Sequence, residues 1–332
     1  MIPVSIIVAC RKISLIEQQC LEACSKLDYP NFEIIILPDY ITYHSLKDNV
    51  KVVSTGNVRP SAKRNIGLNH SQHELIAFID SDAYPEPSWL KNAIPYFSDE
   101  AVGLVGGPSL TPKEDNLWQQ AGGLVLSSRI GGGKLAHRYT RMKEMEVDDL
   151  PSCNLLGRRD MLIDLVESSS HHWPGEDTYL CLQVKKKLKK KLIYSPNVQV
   201  FHHRRPLFKP HLEQVWAYGL HRGHFARKYP ENSRKMVYFL PSTFVLVLLG
   251  GPILALLHPT LLTLYLLGIG SYGVVCLIEG LRSKRLRISL LVAVGIAITH
   301  LAYGLGFLRG LLSEKLPEDR RAILVKTNNN FK

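Results

Sequence analysis

Asp80-Ser81-Asp82 sets two carboxylates one residue apart directly after an apolar run, Leu75–Ile79. A run of that length reads as a buried strand, and ligands of open parallel sheets bind just outside the carboxyl ends of the strands. Two hard oxygen donors there suit a Mg²⁺ or Mn²⁺ ion that shares its other positions with phosphate oxygens. The same tripeptide also makes an ordinary solvated turn, and the local sequence leaves both readings open. Gly175-Glu176-Asp177 opens a helix. Acidic residues in a first turn complement the helix dipole. Alternatively, a carboxylate beside an anionic substrate has its pKa raised and takes a proton from an attacking hydroxyl. His202 and His203 follow another apolar strand, Val198–Phe201. Neutral imidazole suits Mn²⁺ and the protonated form suits phosphate; the alternative is a pair of partly exposed histidines in a basic loop.

Such groups need strands that end near one another, and the first hundred residues predict them. Val4–Ala9 is a continuous apolar run, and Ile2–Cys10 lacks the basic leader of a signal peptide, so it reads as a first strand. Ser14–Leu27 has helical apolar spacing, with Ser14 as N-cap and Glu17 three residues on, before Pro30 breaks the chain. Strands follow at Glu33–Leu37 and Val50–Ser54, a helix at Ala62–Asn69, and a strand at Val102–Val105 leading into Gly106 and Gly107. This alternation builds an α/β sheet with helices on both faces. Gly131, Gly132 and Gly133 predict a mobile loop. A helix over Asp177–Lys187 and a strand over Lys191–Tyr194 precede Val198–Phe201.

The chain has 332 residues, with 41 Lys and Arg against 29 Asp and Glu, a net charge of +12. Lys185–Lys235 holds 14 basic and 2 acidic residues, the whole excess. Within it, Lys185–Lys191 has six lysines in seven residues, a solvated helix end and hairpin; no aromatic platform accompanies it, which argues against nucleic acid. From Met236 to Leu281 only Glu279 is charged. Three apolar segments, Met236–Leu257, Leu261–Ile278 and Ile288–Leu308, each match the roughly 20 residues that cross a bilayer core. A wholly soluble, disordered or fibrous protein is excluded. Arg282, Lys284, Arg285 and Arg287 place the loop before the third segment in the cytoplasm, with the His258 turn opposite and the N-terminal domain cytoplasmic. Lys315, Arg320, Arg321 and Lys326 then fall outside, so a re-entrant third segment is the alternative. Leu212, Val215, Trp216, Leu220 and Phe225, with Arg222, Arg227 and Lys228 among them, predict an interfacial helix on an anionic membrane surface. The six cysteines form no C-x-x-C pair, which fits a reducing compartment.

In order along the chain, Val4-Ser5-Ile6-Ile7-Val8, Glu33-Ile34-Ile35-Ile36 with Asp39, Lys63-Arg64-Asn65-Ile66-Gly67 and Phe78-Ile79-Asp80-Ser81-Asp82 resemble the opening of a family 2 inverting glycosyltransferase. Pro151-Ser152-Cys153-Asn154 with Arg158-Arg159, Gly175-Glu176-Asp177-Thr178-Tyr179-Leu180 and Phe201-His202-His203-Arg204-Arg205 continue the likeness. His300-Leu301-Ala302-Tyr303-Gly304 and Gly306-Phe307 resemble membrane-bound members that build bacterial exopolysaccharides. The resemblance implies a GT-A type nucleotide-diphospho-sugar transferase fold, Rossmann-like with a mostly parallel sheet, followed by a transmembrane helical anchor. It implies that Asp39 contacts the uracil base, Arg64 the base and diphosphate region, Asp80 the ribose, and Asp82 the metal; His202 is a further metal candidate by its own chemistry and position. Asp177 matches the general base, while Glu176, Asn154 and Arg222 fall to the acceptor or diphosphate region. Leu37-Pro38-Asp39-Tyr40 departs from the family in lacking a second acid and a glycine-serine turn, and the Q-x-x-R-W motif of processive synthases is absent.

The expected organisation is a glycosyltransferase domain at 1–205, an amphipathic interfacial region at 206–235, transmembrane segments within 236–312 (about 236–257, 261–278 and 288–308) and a polar tail at 313–332. The expected activity is metal-dependent (Mn²⁺ or Mg²⁺) transfer from a nucleotide sugar, a UDP-sugar foremost, to a polyprenyl-linked glycan at the cytoplasmic face of a bacterial or archaeal plasma membrane. Transfer to polyprenyl phosphate itself is the second enzyme reading, and a non-catalytic membrane scaffold the third.

Overall fold

The computed structural model describes residues 1–41, 49–169, 172 and 175–316. In chain order the elements are β1 (Val4–Ala9), α1 (Leu15–Cys24), β2 (Phe32–Leu37), β3 (Val50–Val52), α2 (Pro60–His70), β4 (Leu75–Asp80), β5 (Ala83–Pro85), α3 (Trp89–Ala93), β6 (Val102–Gly106), β7 (Ser109–Leu110), α4 (Leu117–Ser127), β8 (Met145–Glu146), β9 (Asn154–Arg158), α5 (Arg159–Ser169), α6 (Glu176–Lys186), β10 (Lys191–Tyr194), β11 (Val200–His202), α7 (Lys209–Lys228), α8 (Pro230–Ser233), α9 (Met236–Ala255), α10 (Pro259–Leu281) and α11 (Leu286–Leu312). Among the described residues they form two compact units, one of 1–110 with 140–202, the other of 111–139 with 203–316.

The first unit is built on an eight-stranded sheet ordered β3-β2-β1-β4-β9-β6-β10-β8 and a three-stranded sheet ordered β5-β11-β7. Strands β3, β2, β1 and β4 run parallel, and β9 lies antiparallel between β4 and β6. Because side chains alternate faces along a strand, the continuous apolar runs fill two cores. Val4, Ile6 and Val8 pack with Cys20, Leu21 and Cys24 of α1. Ile7, Ile35 and Phe78 pack with Leu68, Leu162 and Leu180 from the helices on the other face. Register makes the carboxyl ends flush: Ala9 pairs with both Leu37 and Asp80. Asp80 therefore emerges at the edge where the chain continues from β2 toward Asp39.

The second unit is helical. Three of its helices, α9, α10 and α11, are long and apolar enough to cross a membrane, with mean hydropathies of 1.9, 2.1 and 2.0 over their most apolar windows. α7 and α11 run side by side in parallel, His211 bonding Thr299 with an offset of 88 positions. Added Cβ atoms at Gly219 and Gly223 would stand 2.3 and 2.0 Å from the carbonyl oxygens of Tyr303 and Phe307, and at Gly306 and Gly310 2.6 and 1.9 Å from those of Trp216 and Leu220.

Three stretches pack differently from what their sequences suggest. Segment 111–139, expected within the 1–205 domain, joins the helical unit, where Ala121 and Val125 of α4 pack with Ile288, Val292 and Ile296 of α11. The Gly131–Gly133 stretch is a close-packed turn rather than a loose loop: Cβ atoms at Gly131 and Gly132 would meet the carbonyl oxygens of Val125 and Leu126 at 2.3 and 1.9 Å. The predicted interfacial helix exists as α7, but Val215 and Phe225 are buried inside the protein, as is Arg222. Of the 313–332 tail, the part beyond residue 316 lies outside the described residues.

Candidate active site

Four segments of the first unit bring the expected residues together. Asp80 ends β4, Asp82 follows after Ser81, and His202 ends β11, which lies antiparallel to β5 with His202 opposite Ala83. One ligand atom from each of Asp80, Asp82 and His202 lies within 4.8 Å of the others. His202 Nε2 stands 3.0 Å from Asp82 Oδ1. Burial alone would lower the imidazole pKa, but the Asp82 carboxylate raises it to about 10. The loop carrying the carboxylates is fastened from below. Ser81 Oγ donates to Glu17 Oε1 at 3.2 Å, and Glu17 Oε2 accepts from the Ser14 backbone N–H at 2.9 Å in a capping box at the start of α1. Two carboxylate oxygens and an imidazole are a donor set for Mn²⁺ or a similar hard-to-borderline divalent ion, so the residues fit the expected metal.

Adjacent residues of α2 point in different directions, about 100° apart on a helix. Lys63 Nζ turns toward β2, 2.6 Å from Asp39 Oδ1, and also donates to Thr55 Oγ1 at 2.6 Å and to the Leu37 carbonyl at 3.1 Å. Asp39 is thereby held at the sheet edge. Arg64 turns the other way. Its Nη2 lies 2.7 Å from Asp80 Oδ1 and its Nη1 3.1 Å from Glu176 Oε1. Glu176 is buried at the start of α6; burial and the neighbouring Asp177 carboxylate raise its pKa to about 8, against the opposing pull of Arg64. Asp177 lines a small pocket with Ser61, Arg64, Ser152 and Glu176, and its Oδ1 accepts from the Thr178 N–H at 2.7 Å. One guanidinium thus joins Asp80 of the candidate cation set to Glu176 at the start of α6, the residue before Asp177.

Residues 5–166 match the family model for glycosyl transferase family 2. The chain carries a family 2 glycosyltransferase domain. Glycosyltransferase AglE of Haloferax volcanii is 24% identical over 181 residues, which cover 49% of this chain and 54% of that one, so the match spans about half the length of that relative. A Methanococcus voltae protein named dolichyl N-acetyl-alpha-D-glucosaminyl phosphate 3-beta-D-2,3-diacetamido-2,3-dideoxy-beta-D-glucuronosyltransferase is 22% identical over 314 residues, 89% of this chain and 92% of that one. Among solved structures, a mannosyltransferase from Pyrobaculum calidifontis in complex with GDP-Man and Mn²⁺ superposes with a TM-score of 0.60 at 14% identity, covering 95% of this chain and 88% of that chain. That likeness shows a GT-A type fold.

Within the glycosyltransferase domain, Asn154 does not face open space. It is fully buried; its Oδ1 accepts from the Trp89 indole at 2.8 Å and its Nδ2 donates to the Val198 carbonyl at 2.8 Å. This amide fastens β9 to α3 and to the chain entering β11. Arg222 lies in the helical unit, where its guanidinium stacks 4.8 Å from the Tyr238 ring centre and donates to Ser233 Oγ at 3.3 Å. His203 also belongs to that unit, with Nδ1 2.5 Å from Asp115 Oδ1. Lys63 had no expected role, although two adjacent cations entering a helix after Pro60 were a readable sign that the pair would serve two sites.

Proposed function

We propose that the protein is an inverting, metal-dependent glycosyltransferase that moves a sugar from a nucleotide diphosphate sugar to a lipid-linked acceptor at the cytoplasmic face of a membrane, in the assembly of an extracellular polysaccharide or glycan. One observation carries the reading: Asp80, Asp82 and His202 form a divalent-cation donor set, and Arg64 links that set to the helix start that bears Asp177. A bound cation would neutralise negative charge on the donor diphosphate. Asp177 takes the proton of the acceptor hydroxyl as its oxygen bonds to the anomeric carbon. The carbon–oxygen bond to the diphosphate breaks on the opposite side, its electrons leave with the diphosphate, and configuration inverts without an enzyme nucleophile. In this reading Asp39, locked by Lys63, reads the base and Asp80 reaches the ribose.

Two names support the substrate classes. The Pyrobaculum structure holds GDP-Man with Mn²⁺, and the Methanococcus relative is named for a dolichyl phosphate-linked sugar. UDP is the expected nucleotide, with GDP as the comparison. The test is thermal unfolding of purified wild type and Asp82→Ala with UDP or GDP, with and without Mn²⁺. Specific binding raises apparent stability. Wild type should be stabilised by a nucleotide only when Mn²⁺ is present, and Asp82→Ala should show no such gain. Equal stabilisation of both proteins would remove Asp82 from the metal site.

A further inference from the structure

Length and apolarity make α9, α10 and α11 equal candidates for membrane crossing, but their packing separates them. α9 and α10 form an antiparallel hairpin that turns at His258: a Cβ at Gly251 would meet the Tyr265 ring at 2.4 Å, and the Phe244 and Tyr272 ring centres stand 4.5 Å apart. At about 1.5 Å per residue the two helices are about 30 and 34 Å long, each enough for a bilayer core of about 30 Å. Leu249, Ile253, Leu257 and Leu267, toward the closed end, are 63%, 67%, 74% and 65% exposed. Only 17% and 6% of the most apolar windows of α9 and α10 are buried inside the protein, against 44% for α11.

α11 bridges the open end of that hairpin. Its first turns meet the end of α10: Ile288 and Val292 cluster with Cys276, a Cβ at Gly280 would meet the Ser289 carbonyl, and Ser289 Oγ lies 3.1 Å from Ser283 Oγ. Halfway along, His300 Nδ1 is 2.8 Å from the Tyr272 hydroxyl. From there the contacts step back along α9 toward its start. Ser242 Oγ donates to the Gly304 carbonyl at 3.0 Å, and Phe307 clusters with Tyr238, its ring centre 4.8 Å from that of Phe239. A straight helix makes contacts in this order only by lying across the hairpin rather than along it. The start of α9 and the end of α10 are on one side of any membrane that the hairpin crosses, so both ends of α11 are on that side too. The flanks agree: the exposed Glu213 of α7 follows His211, which bonds Thr299, and the exposed Arg129 adjoins Ile130, whose carbonyl lies 3.0 Å from His300 Nε2. A spanning α11 would hold both charges near mid-membrane, where charged side chains are costly. We propose that the α9–α10 hairpin makes the membrane crossings among the described residues, and that α11 does not cross but ends on the side of the basic loop of Arg282, Lys284, Arg285 and Arg287. Lys315 then shares the side of that loop, as the positive-inside bias favours. The inference rests on the membrane reading of the hairpin.

The test uses the full chain in intact cells, with one introduced cysteine at a time: His258→Cys at the hairpin turn, Arg285→Cys before α11, and Glu314→Cys or Lys315→Cys after it. All four positions are exposed and the six native cysteines are buried, so a membrane-impermeant maleimide reports the introduced thiol. Each labelling is repeated after permeabilisation to show that the thiol is reactive, and two positions after α11 guard against one substitution disturbing the fold. Thiols at 285, 314 and 315 should behave alike, reacting severalfold less in intact than in permeabilised cells, while 258 reacts equally in both. If 314 and 315 follow 258 and 285 stays protected, α11 crosses: this inference falls and the membrane reading stands. If 258 follows 285, the hairpin does not cross and both fall. If 258 alone is protected, the inference stands and the cytoplasmic placement of the loop falls.

Discussion

Arg64 and Glu176 are 112 positions apart in the chain, yet Nη1 of one lies 3.1 Å from Oε1 of the other while the same guanidinium holds Asp80 at 2.7 Å. Arginine's planar fork can serve two carboxylates in this way; a lysine ammonium is a single point of charge on a shorter reach. Arg64→Lys should therefore lower turnover by about tenfold or more and weaken donor binding. Glu176→Gln keeps an oxygen for Arg64 to donate to, and its donor affinity should stay within a few-fold of wild type. Donor titrations and single-turnover rates on both variants check this, and an unimpaired Arg64→Lys would detach the bridge from catalysis.

Asp177 is tested by its amide. Asp177→Asn should preserve donor affinity within a few-fold and lower turnover by roughly two to four orders of magnitude, the span for loss of a general base. Asparagine is a good helix N-terminal residue, so a purely structural Asp177 predicts near-normal turnover. A rate within about tenfold of wild type would rule out the base.

Orientation follows from the basic loop before α11. A cysteine placed between Arg282 and Arg287 should be protected from an impermeant thiol reagent in intact cells, while one beside His258 at the α9–α10 turn should react. The opposite pattern would move the catalytic unit to the other side of the membrane.

His211 gives the helical unit a pH dependence. Burial lowers its pKa from 6.5 to about 4, and its Nε2 lies 2.8 Å from Thr299 Oγ1. A group whose pKa is depressed by folding adds stability above its unfolded pKa, and that stability is lost as pH falls through the folded value. The melting temperature of detergent-solubilised wild type should fall between about pH 6.5 and 4, and His211→Gln should flatten that part of the curve. Parallel curves for the two proteins would refute the assignment.

Strands and their ends were legible because continuous apolar runs leave few alternatives, and Asp80-Ser81-Asp82 could be placed from Leu75–Ile79 alone. The helix opening before Asp177 was read within one residue. Pairings across long separations were not legible. Nothing local to Arg64 announces Glu176, and Asn154 sits in a motif whose order suggested a substrate contact although its amide is wholly used inside the fold. Helical periodicity states which face of a segment is apolar but not what covers it. For that reason Val215 and Phe225 suggested lipid for α7 although both side chains are buried, and Ala121 and Val125 gave no hint that α4 packs with α11. Gly219 and Gly223, four apart, were the unread sign of close helix packing.

Those glycines also have a mechanical consequence. Carbonyls of α11 seat on glycines of α7, and carbonyls of α7 seat on glycines of α11, so sliding either helix by one turn, about 5.4 Å, would bring backbone against side chains at several points together. The two helices therefore form a single beam locked in register. Strain applied at one end, where Leu207 packs near Gly295, is carried to the other, where His224 bonds Ser313, without piston motion between them. The hairpin of α9 and α10 is fitted to that beam by the same device, since a Cβ at Gly304 would stand 2.4 Å from the Pro241 carbonyl and one at Gly280 2.2 Å from that of Ser289.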